Sequence, residues 1–406
     1  MPAPHRSHRR ITIVGGGFAG LTAAISAAEA GADVTLHEAH RSLGGRARTD
    51  EAPYRTNEGP HALYRRGPHY PWLQQRGLLG PLAPLGLREA ARIRFHHHGE
   101  LHRVPPLALL RLRSRTDAPV DQDFLSWASA HVGEPAARAA AYYTGVATFH
   151  HDPGLLSAAF THRILYRTTR LNPEARYIKG GWGALISRMA DHARGLGVRI
   201  ETGSRVDALP EDRPVIVAAQ LDSARALLGD DSLTWSSSRT ALIDLALRAH
   251  PKKQRPAGRR QPADLFVVSD LDRSGWIERF TAQDPTLAPP GEQLLQGQVG
   301  IAPHETRADG IARAERLLDA GFPEWRERVT WRRDALATGR TGAVDLPGTT
   351  WRDRPAIDRG NGVYLAGDQV AAPGVLSEVA FTSAIEATTL ALSAARSATG
   401  ARRPAP

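Results

Sequence analysis

Cysteine is absent from this 406-residue chain. Its absence excludes disulfides, thiolate metal sites, a catalytic thiol and any cofactor linked through sulfur. It suits a reducing compartment, and a cytoplasmic location is the expectation. Lysine is almost missing too: only Lys179, Lys252 and Lys253 occur, so the net charge of +10 is carried by scattered arginines. A concentrated basic excess would point to nucleic acid or an anionic membrane. The densest run, PKKQRPAGRRQP (251–262), is broken by proline and glycine and reads as a solvated loop, so no nucleic-acid partner is expected. No uninterrupted apolar run approaches the ~20 residues that span a bilayer. No internal repeat is visible. At 41% hydrophobic and 23% charged residues, the composition is that of a soluble globular protein. The length calls for two domains or one large α/β unit.

What is present begins with RRITIVGGGFAG (9–20). ITIV reads as a short buried strand, GGGFAG as a turn, and LTAAISAAEA as a helix with Gly31 placed to end it. VTLHE (34–38) is the next strand, completing a β-α-β unit. Two arginines before an apolar run, with small residues near Ala30, also match a secretory leader. The glycine-rich centre, the early Glu29 and Asp33, and the β-α-β unit that cleavage would destroy favour the nucleotide-binding reading.

A second α/β stretch begins near Tyr177. GALISRMADHARGLG sets Leu185, Met189 and Ala193 on one helical face, and VRIET (198–202), RVDAL (205–209) and PVIVAA (214–219) read as strands. At the end of the chain, GVYLAGD (362–368) reads as strand and turn, and Ser377 as the cap of a helix over 378–395. The pattern predicts a discontinuous, Rossmann-like α/β domain from residues 1–75, 175–235 and 351–406. An α+β domain with an antiparallel sheet is inserted from residues 76–174 and 236–350; its strand candidates include 237–249, 263–268 and 294–302. Residues 1–9 and the GARRPAP tail are expected to be disordered.

Gly15, Gly17 and Gly20 make G-x-G-x-x-G, with Ala19 inside the motif. The first glycine permits the tight turn, the second lets backbone approach a pyrophosphate, and the third packs helix on strand. The helix N-terminus then offers N–H groups to phosphate. Glu38 ends the second strand, where a carboxylate accepts ribose hydroxyls and repels a 2′-phosphate, so the nucleotide is FAD- or NAD-like rather than NADP. No second G-x-G-x-x-G is present, and no built-in nicotinamide domain is expected.

Continuing through Gly44, Gly45, Arg46 and Thr49, the sequence resembles the flavin amine oxidase, protoporphyrinogen oxidase and phytoene desaturase superfamily. NEGPHAL (57–63) resembles the loop beneath the isoalloxazine ring, at Gly59, Pro60 and His61. Val206 falls where the family contacts adenine through backbone. GVYLAGDQVAAPGVLSEVAF resembles the C-terminal flavin motif, with Gly367 and Asp368 at the ribityl chain and Val375 and Leu376 at the pyrimidine edge of the flavin. About half the chain carries the resemblance. It implies a non-covalent FAD and two-electron oxidation of a small or medium, partly apolar organic substrate, by C–C desaturation or C–N oxidation. Electrons then leave to oxygen, a quinone or another diffusible acceptor. Two departures weaken the amine oxidase branch. SSRTALIDLALRA (237–249) has no lysine where that branch carries one, and 369–380 has no aromatic residue, only Phe381 following. Catalytic candidates are His61 and, as pocket-wall aromatics, Tyr177 and Trp182; Glu378 is a first-turn helix acid. Rival readings keep the fold but use the flavin without net redox change, as an isomerase or mutase, or keep it only for binding.

Two other motifs stand apart. RFHHHGELHRV (94–104) reads as an exposed hairpin rather than a metal site, because the sequence places no carboxylate or further histidine to complete one. PPLALLRLRSR (105–115) reads as an amphipathic helix walling the substrate domain; peripheral membrane contact is the less favoured alternative.

Overall fold

The computed structural model describes residues 9–59, 62–84, 86–170, 174–250 and 263–401. The expected disorder at residues 1–8 and 402–406, and the loop expected at 251–262, lie outside them. Strand Arg10–Val14 is central to a five-stranded parallel sheet in the order Val363–Leu365, Val215–Val217, Arg10–Val14, Asp33–Glu38, Arg199–Thr202. Ile11, Ile13, Val34, Leu36, Val215 and Ile216 are buried in it, as the near-continuous apolar strands of a two-sided parallel sheet require. Helices Phe18–Glu29, Trp182–Gly195 and Ser377–Ala401 bury their apolar faces in the same core. The first of these ends at Gly31 (φ +80°), where the Ala32 amide donates to the Ala27 carbonyl in a Schellman closure. The last runs past its expected end, to Ala401. RVDAL is not a strand: residues 205–209 follow the sheet's edge strand Arg199–Thr202 without pairing, and only Val206 and Leu209 pack against the core. Their spacing imitated a half-buried strand.

The second sheet has seven strands in the order Val329–Ala343, Ser237–Arg248, Glu292–Gly300, Gly275–Arg279, Val267–Asp270, Ile93–His97, Glu100–His102. All neighbours are antiparallel except Ile93–His97 beside Val267–Asp270. Two stretches of sequence therefore build one sheet, and helices Phe124–Val132, Glu134–Thr148 and Ala158–Thr168 cluster beside it. On one face Ile243, Leu245, Leu247, Leu295 and Val299 pack against helix Arg307–Gly321. The other face carries a polar row in register: Glu278 opposite Gln296, Gln296 opposite Asp244, Asp244 opposite Arg333. A small antiparallel sheet, Leu63–Tyr64, Ala175–Ile178 and Leu82–Pro84, joins the two regions.

The histidine run forms the expected hairpin. The expectation that no carboxylate stands near it is corrected: Asp270 and Asp272 lie against its histidines, brought there by a strand about 170 positions later in the chain. The apolar run after Pro106 is helical only over Ala108–Arg113, with Leu109 and Leu112 buried and Leu107 and Leu110 exposed. Among the described residues, no helix is long and apolar enough to cross a membrane.

Glu278 faces Tyr177 and Trp276, with no cation among the groups that shift it. Burial raises its pKa from 4.5 to about 7. A carboxyl that stays protonated when folded but ionises when unfolded makes stability fall as pH rises from about 4.5 to 7. Glu278→Gln is expected to remove that fall and to raise unfolding free energy at pH 8 by about 1–3 kcal/mol. Urea denaturation at pH 5 and pH 8 checks this; identical pH dependence in both proteins would contradict a neutral buried Glu278.

Candidate functional site

The glycine turn is dictated by close approach. A Cβ on Gly15 (φ +108°) would lie 2.6 Å from the Ala218 carbonyl oxygen, and one on Gly20 would lie 1.9 Å from that of Gly15. At Gly17 the nearest atom to a Cβ is the Gly44 carbonyl oxygen, 3.7 Å away, so the space over this glycine is open. Gly17 caps helix Phe18–Glu29 without a side-chain hydrogen bond. The first helical turn, which includes Ala19, is thus left to serve an anion. Glu38 is buried; its carboxylate accepts from the Gly16 amide at 2.7 Å and the His40 amide at 2.8 Å. Each oxygen retains acceptor capacity for a hydroxyl donor. The segment carrying Val206 runs alongside, tied by the Ser204 amide to the Glu38 carbonyl at 2.9 Å.

The second glycine pair sits directly across the turn. Gly44 (φ +115°) donates its amide to the Gly16 carbonyl at 2.9 Å, and Gly45 follows with φ +53°. Arg46 then reaches the far end of the chain: its guanidinium forks onto both oxygens of Asp368 at 2.5 and 2.6 Å. Bidentate pairing fixes geometry as well as charge. Asp368 follows Gly367, whose amide donates to the Ser383 hydroxyl at 2.9 Å and is thereby anchored to helix Ser377–Ala401.

Thr49 and Asn57 hold the loop between the two large sheets. The Thr49 hydroxyl donates to Asn57 Oδ1 at 2.7 Å and accepts from the Gly183 amide at 2.8 Å; Asn57 Oδ1 also accepts from the Trp182 amide at 3.1 Å. These oxygens cap helix Trp182–Gly195. The contact explains the small residues of KGGWG, because a Cβ on Gly181 (φ +83°) would meet Thr49 Oγ1 at 2.6 Å. The backbone of Asn57 binds the polar row. Its amide donates to Gln296 Oε1 at 3.3 Å, and its carbonyl accepts from Gln296 Nε2 at 3.1 Å and Arg333 at 3.2 Å. Gln296 and Arg333 both bind Asp244, each at 2.7 Å. Burial lifts Asp244 to about 6 against the opposing pull of Arg333.

At the C-terminal motif, Leu376 adopts φ +52°, a conformation that a side chain of its size rarely takes. Val375 and Leu376 face helices Glu134–Thr148 and Ala158–Thr168 across a narrow pocket, also lined by Ala147, Phe160, Ile164 and Val379. Glu378 turns back to accept from the Val375 amide at 3.1 Å and pairs with Arg167 at 2.7 Å. It shapes the turn and is neutralised there.

The glycines, Glu38, Arg46 and Asp368 thus form one constellation, with Val375 and Leu376 on the same chain turn as Asp368. Gly59 (φ +99°) lies two residues beyond Asn57. Pro60 and His61 lie outside the described residues, as do Lys252 and Lys253. Tyr177 is placed in a closed aromatic cluster, edge-on to Phe266 and Phe280, with burial holding its hydroxyl proton well above pH 10. Trp182 sits edge-on to Phe18 in the core around the parallel sheet. Residues that sequence reasoning missed are Asn57, Asp244, Gln296, Arg333 and His69. Asp244 and Gln296 had a signal, being polar residues in otherwise apolar strands. His69 had none: it is fully buried between Phe18 and Phe381, its ring nitrogens lack partners among the described residues, and burial lowers its pKa to about 4.

Residues 13–76 match the family model of the NAD(P)-binding Rossmann-like domain. No curated protein matches by sequence. Solved structures match along almost the whole chain. An oxidoreductase from Methanosarcina mazei is 18% identical with a TM-score of 0.73, over 94% of this chain and 100% of its own. Cyclohexylamine oxidase from Brevibacterium oxydans is 16% identical with a TM-score of 0.67, over 96% and 99%. A reduced UDP-galactopyranose mutase is 15% identical with a TM-score of 0.67, over 95% and 96%. The chain therefore opens on a Rossmann-like dinucleotide-binding unit and has, over nearly its full length, the fold of these two oxidoreductases and this mutase.

Proposed function

We propose that the protein is an FAD-dependent oxidoreductase acting on a small or medium, partly apolar organic substrate. The observation that carries this reading is the Arg46–Asp368 fork, which closes the first and last cofactor motifs over one glycine turn. The donor set suits FAD: an uncapped helix N-terminus for pyrophosphate, a buried Glu38 with acceptor capacity for ribose hydroxyls, and a distant acid for the ribityl chain. With no cysteine for a thioether link, the cofactor is held without a bond to sulfur. Bound there, FAD would supply a two-electron acceptor for a hydride from a substrate C–H bond, with a proton lost from the neighbouring carbon or nitrogen to complete C=C or C=N.

The chain's own residues do the rest. Glu38 and the two glycine turns bind the nucleotide, and Arg46 balances Asp368. The N-terminus of helix Ser377–Ala401, behind Val375 and Leu376, favours negative charge at the edge it faces. His61, by resemblance, is the proton-accepting candidate. Electrons pass to oxygen, a quinone or another diffusible acceptor. A second reading, rearrangement without net oxidation, is favoured by the equally good match to the mutase; turnover without acceptor consumption distinguishes it.

Purified protein is expected to carry or take up FAD, seen as a flavin spectrum released on denaturation. Glu38→Ala should weaken FAD binding by about 10–100-fold, the loss of hydrogen bonds to a charged acceptor, measured by equilibrium titration of the apoprotein. A protein that never takes up FAD would refute the assignment. With FAD bound, candidate substrates should bleach the flavin under anaerobic conditions. His61→Ala should slow that bleaching in stopped-flow measurements while bound FAD stays at wild-type stoichiometry.

A further inference from the structure

Away from the dinucleotide site, one end of the seven-stranded sheet collects five side chains able to ligate a metal. Parallel pairing sets His96 level with Asp270, and the following turn returns Asp272 beside the hairpin. Asp272 Oδ1 accepts from His97 Nδ1 at 2.9 Å and from the His98 amide at 3.1 Å. His98 takes φ +52°, which folds its ring onto His97 with centroids 3.9 Å apart. One ligand atom each from His97, His98 and Asp272 lies within 4.8 Å of the others. His96 hydrogen-bonds to Asp270 at 3.2 Å and lies 3.6 Å from the other Asp272 oxygen, so it groups with the two acids rather than with His97 and His98.

Two imidazoles and one carboxylate are the donors of a borderline divalent ion such as Zn²⁺ or Ni²⁺. Ca²⁺ and Mg²⁺ demand mostly oxygen. The side chains of His97 and Asp272 are 18% and 32% exposed, so water can complete the coordination while the backbone keeps the ligands in place. The hairpin turn presents His98, and the Asp270–Asp272 turn presents the acid, from stretches 174 positions apart.

We propose that His97, His98 and Asp272 bind a divalent transition-metal ion that clamps the hairpin, from the first stretch of the inserted domain, onto the turn from the second. The metal takes the place of the His97–Asp272 hydrogen bond, and because it needs unprotonated imidazole nitrogens and a carboxylate, uptake weakens in acid. His96, held by Asp270, flanks the site and is not a ligand.

Calorimetric titration of the full chain with Zn²⁺, and separately with Ni²⁺, at pH 7.5 tests this. One saturable equivalent is expected, with a rise in melting temperature that chelator reverses. Asp272→Asn and His98→Asn should each weaken binding tenfold or more; the asparagine at position 98 keeps a residue that tolerates positive φ. His96→Ala should change affinity less than threefold. Unchanged far-UV circular dichroism shows that each variant has folded. Absence of saturable binding in the wild type, or binding undiminished by Asp272→Asn, overturns the proposal. So does an equal loss from His96→Ala and His98→Asn.

Discussion

Asn57 is the point on which the arrangement of the two large sheets depends. Its side-chain oxygen caps the helix Trp182–Gly195 that packs in the core of the parallel sheet, while its main chain is hydrogen-bonded to Gln296 and Arg333 on the seven-stranded sheet. Neither set of contacts could move independently of the other. The loop that leads to Gly59 is therefore positioned from both sheets at once. One buried residue thus both caps a helix and hydrogen-bonds to a distant sheet.

The sheet face behind Asn57 is a second unusual feature. A sheet burying both faces would ordinarily be apolar on each, as it is where helix Arg307–Gly321 packs. Instead Glu278, Gln296, Asp244 and Arg333 cross it in register. Only Arg333 brings positive charge to the row, and it serves Asp244 and Asp50 together. Asp244 and Glu278 are both shifted upward by burial, so this part of the interior keeps its protons to higher pH than the unfolded chain does.

Much of this was legible in the letters, for identifiable reasons. The glycine turn, Glu38 and the Gly44–Gly45–Arg46 turn are short-range patterns in which spacing alone dictates backbone geometry, and the elements flanking them form accordingly. The inserted sheet showed itself in apolar strands. The errors come from long-range juxtaposition. RVDAL had the spacing of a strand but no neighbour to pair with, and the HHH run gave no hint that Asp270 and Asp272 would arrive from a distant strand. Asn57 was equally hidden: a single polar residue in a loop acquires its role only from a helix end and a sheet that lie far away in sequence.

The strand Val363–Leu365 completes the parallel sheet beside Val215–Val217, and Asp368, just beyond it, closes onto Arg46 across 322 positions. This order has a consequence for biosynthesis. The glycine turn is made well before the acid that pairs with Arg46 and the helix that covers the sheet. The growing chain therefore holds one half of this clamp long before the other. Closing it waits for a highly non-local contact, of the kind that forms slowly.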